Sequence, residues 1–467
     1  MEEFIVLNQK PNIVYAYPKF ISKWGANYFS VNRINMIKKI KKSNIEYDLL
    51  SNRVEIQNIR RIPKEKSSEL YIGLADVNTQ TGELTENNTI NEGITGISNA
   101  VRKGQILFSK LRPNLNKVTI CPQSINEALA STEFCIFEAR NIDKYYLFAV
   151  LKSNVGLFQV IDITTGSTLP RLDTEDILNI LIPIPSPEIQ KYIGDKVRKA
   201  EELREEAKRL KKEAEEILNN ELNVKELLIK IDRYTEKHSW IMNSDINDRM
   251  DALYYNPQKI TIKKFYKNYN LQKLKDLVDY KKGYAFKSED YCNNTSTFLL
   301  RVSDISNNEV DMCNMLNLPD EFYQEYKDFN LINGDIVMVV TGTTGKSIVI
   351  NNNKFKLLLN QNAIRMRIKE GIDISPYYIE LILQSQYFQT LLKYSLYQSV
   401  QPFISMEFLN DVVIPIIDKT KIENISNLYE KSLNNLFYAK QLIQEAKQDV
   451  EDLIEGNFDM SKVKANS

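Results

Sequence analysis

Leu70-Tyr71-Ile72-Gly73-Leu74-Ala75-Asp76-Val77 is matched about 230 residues further on by Phe298-Leu299-Leu300-Arg301-Val302-Ser303-Asp304-Ile305. Each is an apolar, strand-like run that closes on Asp and an aliphatic residue. The match extends outward in register. Lys103-Gly104-Gln105-Ile106-Leu107-Phe108 corresponds to Asn333-Gly334-Asp335-Ile336-Val337-Met338, a glycine turn feeding a buried strand. Residues 145–153 correspond to 377–385, both with the spacing of an amphipathic helix, and 178–183 correspond to 409–415, an aliphatic strand stopped by proline. Four landmarks in one order at a nearly constant offset make the chain an internal repeat. Because strand and helix patterns mix within each copy, each copy is expected to be an α+β domain and not a solenoid unit.

A different kind of segment follows each copy. From 188 to about 228 the composition is dominated by Glu, Lys, Arg, Leu and Ala, with Ile193, Val197, Ala200, Ala207, Leu210, Ala214 and Ile217 at three- and four-residue steps. The second copy is followed by Ile422, Ile425, Leu433, Leu436, Ala439, Ile443, Ala446, Val450 and Leu453 at similar steps, without an internal Pro or Gly until Gly456. Both are helix-pairing stripes. Since the stripes are duplicated along with the domains they follow, the expected arrangement is an intramolecular antiparallel pair. A helix of about 40 residues would be roughly 60 Å long.

The 467 residues exceed one ordinary domain. A hydrophobic share of 43% supplies real cores, and 26% charged residues exclude the disordered class. No apolar run approaches membrane-spanning length. Met1-Glu2-Glu3 is acidic where a secretory signal needs a basic flank, so a cytoplasmic location is expected. Cys121, Cys135, Cys292 and Cys313 lie far apart, and His238 is the single histidine, so neither structural zinc nor another metal site is expected. The 61 basic residues balance 61 acidic ones. A nucleic-acid surface would therefore have to be local, for example at Lys38-Lys39-Ile40-Lys41-Lys42, Lys263-Lys264 or Lys281-Lys282, and each of these also reads as a solvated helix face.

Globular copy, long helix, globular copy, long helix: this layout resembles the specificity subunit of Type I restriction-modification enzymes over essentially the whole chain. Glu188-Ile189-Gln190 after Ile182-Pro183-Ile184-Pro185 resembles that family's junction between a target-recognition domain and its helix. Thr165-Gly166-Ser167-Thr168-Leu169-Pro170-Arg171-Leu172 resembles its Gly-Ser segment, and Thr341-Gly342-Thr343-Thr344-Gly345-Lys346 its Gly-Thr-x-Gly-Lys loop. The second copy departs at Ile416-Ile417-Asp418-Lys419 and at Gln398-Ser399-Val400-Gln401-Pro402, which lacks glycine. The resemblance implies two homologous mixed α/β target-recognition domains, 1–187 and 233–418, separated by a long antiparallel two-helix coiled coil built from 188–232 and 419–467. It further implies double-stranded DNA as ligand, each domain reading half of a split target. Two methyltransferase subunits would dock on the helices and hold the S-adenosylmethionine, this chain having no cofactor of its own. A restriction/translocase subunit is left open as a further partner.

In the first copy the basic, amide-rich loop with Lys110, Arg112, Asn114 and Lys117 is a candidate DNA contact, since arginine can read guanine and asparagine adenine. Thr165, Ser167 and Arg171 form a second candidate segment, where Gly166 permits close backbone approach. In the second copy the candidates are Thr341, Thr343, Thr344, Lys346, Gln361, Gln398 and Gln401. No catalytic set is expected. Gly345-Lys346-Ser347 lacks the P-loop's first glycine, which would fall on Val340. Tyr255-Asn256-Pro257 resembles part of an amino-methyltransferase motif but continues into Gln258 with no glycine-rich cofactor turn before it. Asp320, Glu325 and Lys327 are the support for an alternative reading, a single-chain DNA-cleaving or modifying enzyme, but lack strands to aim them and read as a surface helix. A coiled-coil scaffold is the other alternative.

Overall fold

The computed structural model describes residues 4–7, 13–16, 26–57, 59–62, 70–85, 96–165, 169–232, 241, 246, 255–306, 309–310, 315–351, 355–393 and 403–465. His238, Cys313, Ser167, Gln398 and Gln401 lie outside them. The chain divides into two compact units, residues 1–205 with 436–467, and residues 206–435.

The first unit carries two four-stranded sheets. One runs Val54–Ile56, Phe134–Ala139, Ile106–Ser109, Val118–Ile120, antiparallel throughout. The other runs Arg60–Arg61, Ser98–Arg102, Glu127–Ala130, Tyr71–Ile72, with the last pair parallel. The second unit repeats the first of these as Val278–Lys282, Ala363–Ile368, Ile336–Val339, Ser347–Val349. Its other sheet keeps three of the strands, Asn330–Leu331, Lys356–Leu359 and Thr297–Leu300, again with one parallel pair. The fourth strand differs. In the first unit it adds beyond Ser98–Arg102, in the second Leu316–Leu318 adds at the opposite edge, beyond Thr297–Leu300.

Local chemistry explains the repeated residues. Asp76 accepts the Gly73 N–H at 2.6 Å and Asp304 the Arg301 N–H at 2.9 Å, so each aspartate closes the turn after its strand. Gly104 and Gly334 stand at φ +80° and +87°, the left-handed region that favours glycine, at the entry to strands Ile106–Ser109 and Ile336–Val339. Helices Lys144–Lys152 and Pro376–Gln384 follow at the expected places. They are not amphipathic, as the spacing suggested. Every residue from Tyr145 to Lys152 and from Tyr377 to Leu383 is buried, because each helix packs between its sheet and the long helices of its own unit. Tyr146 Oη donates to Pro183 O at 3.0 Å and Tyr378 Oη to Pro415 O at 2.7 Å, the same tie in both copies.

The long helices run Pro187–Glu221 and Lys419–Glu455. The stripe expected to 228 is interrupted. Asn223 takes φ +50° and a separate helix, Val224–Asp232, follows, asparagine serving where glycine usually ends a helix. The second helix stops at Gly456 as the composition suggested. Within each unit the helices are antiparallel. In the second, Ser432 Oγ donates to Ala207 O at 2.7 Å and Lys421 pairs with Glu221 at 2.7 Å. In the first, Lys196 pairs with Asp449 at 2.6 Å while Ile189 and Leu453 line one cleft. All the stripe residues are buried except Ile217 and Leu436, which are half-buried, and the fully buried Tyr429 and the buried Ser432 join them. At the junction Gln190 donates to Pro185 O at 2.9 Å and accepts from Asp143 N at 3.3 Å, clamping the helix start to its domain.

Candidate nucleic-acid interface

In the first unit strand Ile106–Ser109 runs out into the loop 110–117, and Pro170, Arg171 and Leu172 return against it. Lys110 N donates to Glu133 O at 2.9 Å, Leu172 N to Lys110 O at 2.8 Å and Arg112 N to Pro170 O at 2.8 Å. Thr165 and Arg171 are joined by reciprocal N–H to O bonds of 2.8 and 2.9 Å. Two segments picked separately from the sequence thus form one surface. Arg112, Asn114, Thr165 and Arg171 are exposed and Lys110 half-exposed. Arg171 Nη2 is held 3.2 Å from Glu133 Oε1, a partner that sequence reasoning did not single out.

Two members of this loop serve its framework. Lys117 Nζ donates to Leu74 O at 2.5 Å, and burial pushes its pKa down. Asn116, at φ +44°, donates to Lys152 O at 2.8 Å. Lys152 is itself 1% exposed and donates to Asn78 O at 3.3 Å, Thr79 O at 2.9 Å and Asn116 O at 2.5 Å. Burial, together with the Lys447, Arg204 and Lys117 charges, drives its pKa well down, while three carbonyls match the three N–H donors of the protonated form.

The second unit builds the same junction from other residues. Strand Ile336–Val339 leads into 340–346, with Val340 N on Asn362 O at 2.9 Å and Ile404 N on Val340 O at 3.0 Å, and Thr341 paired with Phe403. Gly342 and Gly345 stand at φ +95° and +87°, and a Cβ at Gly345 would lie 2.3 Å from Leu392 Cδ2. Val339 N to Lys346 O at 2.8 Å and Gly345 N to Val339 O at 2.9 Å close the hairpin. Thr343 and Lys346 are exposed, Thr341 and Thr344 half-exposed. Gln361 donates its N–H to Tyr284 O at 3.1 Å, and its buried Oε1 has no partner among the described residues. Phe403, 42% exposed, stands where the first unit has Arg171.

The apparent catalytic residues have structural work. Asp320 accepts from Ser296 N at 3.1 Å, Ser296 Oγ at 2.7 Å and Thr297 Oγ1 at 2.9 Å, which lowers its pKa and fastens a strand end. Asn256 caps helix Pro257–Phe265 by accepting the Gln258 N–H at 2.9 Å, with proline at the first helical position. Of the lysine clusters, Lys281 pairs with Asp328 at 3.2 Å and lies over the Phe329 ring. Among the described residues no cluster of His, Cys, Asp and Glu could hold a metal ion. No helix among them is long and apolar enough to cross a membrane.

A family model described as "Type I restriction modification DNA specificity domain" matches residues 54–216 and again 266–440. The chain is 24% identical over 342 residues to the Type I restriction enzyme MjaVIII specificity subunit of Methanocaldococcus jannaschii, covering 70% of this chain and 73% of that one. It is 26% identical over 150 residues to the EcoDI specificity subunit of Escherichia coli, 32% of each chain. Among solved structures, the S subunit of the Type I system from M. genitalium aligns over 90% of this chain and 97% of its own at 12% identity and TM-score 0.42. The HsdS subunit from Thermoanaerobacter tengcongensis aligns over 88% and 97% at 16% identity and TM-score 0.32.

Proposed function

Because the chain belongs to the Type I restriction modification DNA specificity domain family, with that domain present twice, we propose that it is the DNA sequence-recognition subunit of a Type I restriction-modification complex. Each copy reads one half of a split double-stranded target. The observation that supports this most is the duplicated junction: in both units a strand end is joined to a residue distant in sequence, Arg112 to Pro170 in the first and Thr341 to Phe403 in the second. Phosphate contacts position such a junction on DNA and base contacts specify it. On this reading the exposed Arg112 and Asn114 in the first copy and Thr343 and Lys346 in the second make those contacts.

On this reading the recognition domains are 1–187 and 233–418, and the helical segments 188–232 and 419–467 dock two methyltransferase subunits, with a restriction subunit as a further partner. S-adenosylmethionine belongs to the methyltransferase. The chain itself is non-catalytic and works in the cytoplasm. The test is modular. Replacing residues 1–187 by the same region of a relative, in the complex with its methyltransferase, should change one half of the methylated sequence and leave the other intact. Methylome sequencing reads this directly, and a change in both halves, or methylation by this chain alone, refutes the proposal.

A further inference from the structure

The two copies fasten the strand end with the same series of bonds. Ser131 N donates to Ile72 O at 3.0 Å and Asn360 N to Leu300 O at 3.1 Å. Two residues on, Glu133 N donates to Ser131 Oγ at 3.3 Å and Asn362 N to Asn360 Oδ1 at 3.2 Å. The carbonyls of Glu133 and Asn362 then accept from Lys110 N and Val340 N, both at 2.9 Å. Last, Leu172 N donates to Lys110 O at 2.8 Å and Ile404 N to Val340 O at 3.0 Å, so Arg171 lies across from Leu111 as Phe403 lies across from Thr341. Glu133 is therefore the counterpart of Asn362, and Arg171 of Phe403.

Within this shared frame the two positions differ as a pair. In the first unit they are a carboxylate and a guanidinium, with Arg171 Nη2 3.2 Å from Glu133 Oε1. In the second they are a neutral amide and an aromatic ring, and the same bonds form without the charges. The ion pair is thus not what joins the segments. Nor is it a large source of stability, since the Arg171 side chain is 49% exposed and ion pairs at such sites contribute little. Its effect is to fix a guanidinium. The backbone of Arg171 is held by the reciprocal bonds with Thr165 and through its neighbours Pro170 and Leu172, while Glu133 holds the head. The other carboxylate oxygen of Glu133 is buried, with no hydrogen-bond partner among the described residues, and is out of reach of a base.

A rigidly held guanidinium with one nitrogen engaged keeps N–H donors of its planar fork for a bidentate contact to guanine O6 and N7. An aromatic ring at the same place has no such donor, and the apolar group that a base offers it is the thymine methyl. Phe403 is 42% exposed there. Resting on the reading of the chain as a DNA-recognition subunit, we infer that residues 133 with 171 and residues 362 with 403 are one interchangeable specificity pair: Arg171, positioned by Glu133, reads a guanine in the first half-site, and Phe403 meets a thymine methyl in the second.

The test grafts one pair onto the other frame. The complex with its methyltransferase carries Glu133→Asn and Arg171→Phe together, and its methylome is compared with that of the unaltered complex. One position of the first half-site should change from G·C to T·A, with the rest of that half and the whole second half as before. An unchanged first half, or changes at several of its positions, overturns the inference. An unaltered complex that methylates no split target would instead refute the recognition reading on which it rests. If the graft abolishes methylation, single variants of the same complex decide, in competition binding to duplexes with each base pair at each position. Arg171→Lys should cut discrimination at one guanine at least about tenfold with the salt dependence of binding preserved, and Glu133→Gln should cut it less. Replacing one thymine of the second half by deoxyuridine should weaken binding of the unaltered complex and leave that of Phe403→Ala indifferent. Uniform loss across all sequences with a shallower salt dependence would mark Arg171 as a phosphate contact and overturn the inference, as would indifference of the unaltered complex to every deoxyuridine.

Discussion

The two candidate loops show how one architecture can be held in two ways. In the first unit the loop takes its shape from non-glycine residues in the left-handed region, Arg112 at φ +50° just before Pro113, and Asn116 at φ +44°. It is pinned from beneath by the buried ammonium of Lys152. In the second, Gly342 and Gly345 supply the same backbone region without strain, and Gln384 stands at the position of Lys152 in the register that pairs Tyr146 with Tyr378. Gln384 donates to Ser347 O at 3.3 Å, to Tyr429 Oη at 3.2 Å and to Glu380. The first loop stores strain next to an exposed arginine, and the second spends flexibility on the threonines. Non-glycine left-handed residues persist where the surroundings over-determine them and cluster at functional sites.

The largest expected effect follows from Lys152→Met. It removes three hydrogen bonds from the buried ammonium, to Asn78 O, Thr79 O and Asn116 O, each worth about 1 kcal/mol or more. Chemical denaturation of the variant should show the first unit losing about 3 kcal/mol or more while the second keeps its midpoint. Equal loss in both would break the contrast drawn between the loops.

Next in size is a pH effect confined to the second unit. Burial pushes the Glu380 carboxyl up to about 7, opposed in part by hydrogen bonds with Tyr429, Gln384 and Ser347. Its folded pKa lies above the unfolded one near 4.5. The proton is therefore held more tightly in the folded chain, and the associated stability is present below pH 4.5 and lost as pH rises through about 7. Glu380→Gln should flatten stability between pH 5 and 8, measured as the denaturation midpoint across that range. A midpoint that still falls across that window in the variant would remove Glu380 as the cause.

The smallest and sharpest test is Arg112→Gly. Releasing the left-handed strain should stabilise the first unit by about 1 kcal/mol. If Arg112 reads a base, the same change weakens binding at one half-site by about 1–3 kcal/mol. Thermal melts and competition binding with targets altered in one half separate the two effects. Arg112→Ala should weaken binding without the gain in stability.

Much of the fold was legible because it rests on local periodicity. The repeated aspartates Asp76 and Asp304, the turn glycines and the helical stripes each act within a few residues of themselves. The candidate segments 110–117 and 165–171 could be chosen from composition, but their junction could not, since Arg112 meets Pro170 only when the sheet and the chain's return are both in place. Helices Lys144–Lys152 and Pro376–Gln384 misled in the opposite way. Lys152 and Glu380 look like solvent positions, and only burial from every side shows them as pins.

By itself the sequence determined that the chain is duplicated, that each copy mixes strands with a helix, and that long apolar stripes follow each copy, because repeat, alternation and the 3.6-residue period are written in neighbouring residues. Tertiary structure alone decided which loops share a surface and which ionisable groups lie sealed in the core. Those outcomes depend on contacts between segments tens to hundreds of residues apart, and no local spacing encodes where a distant segment will close.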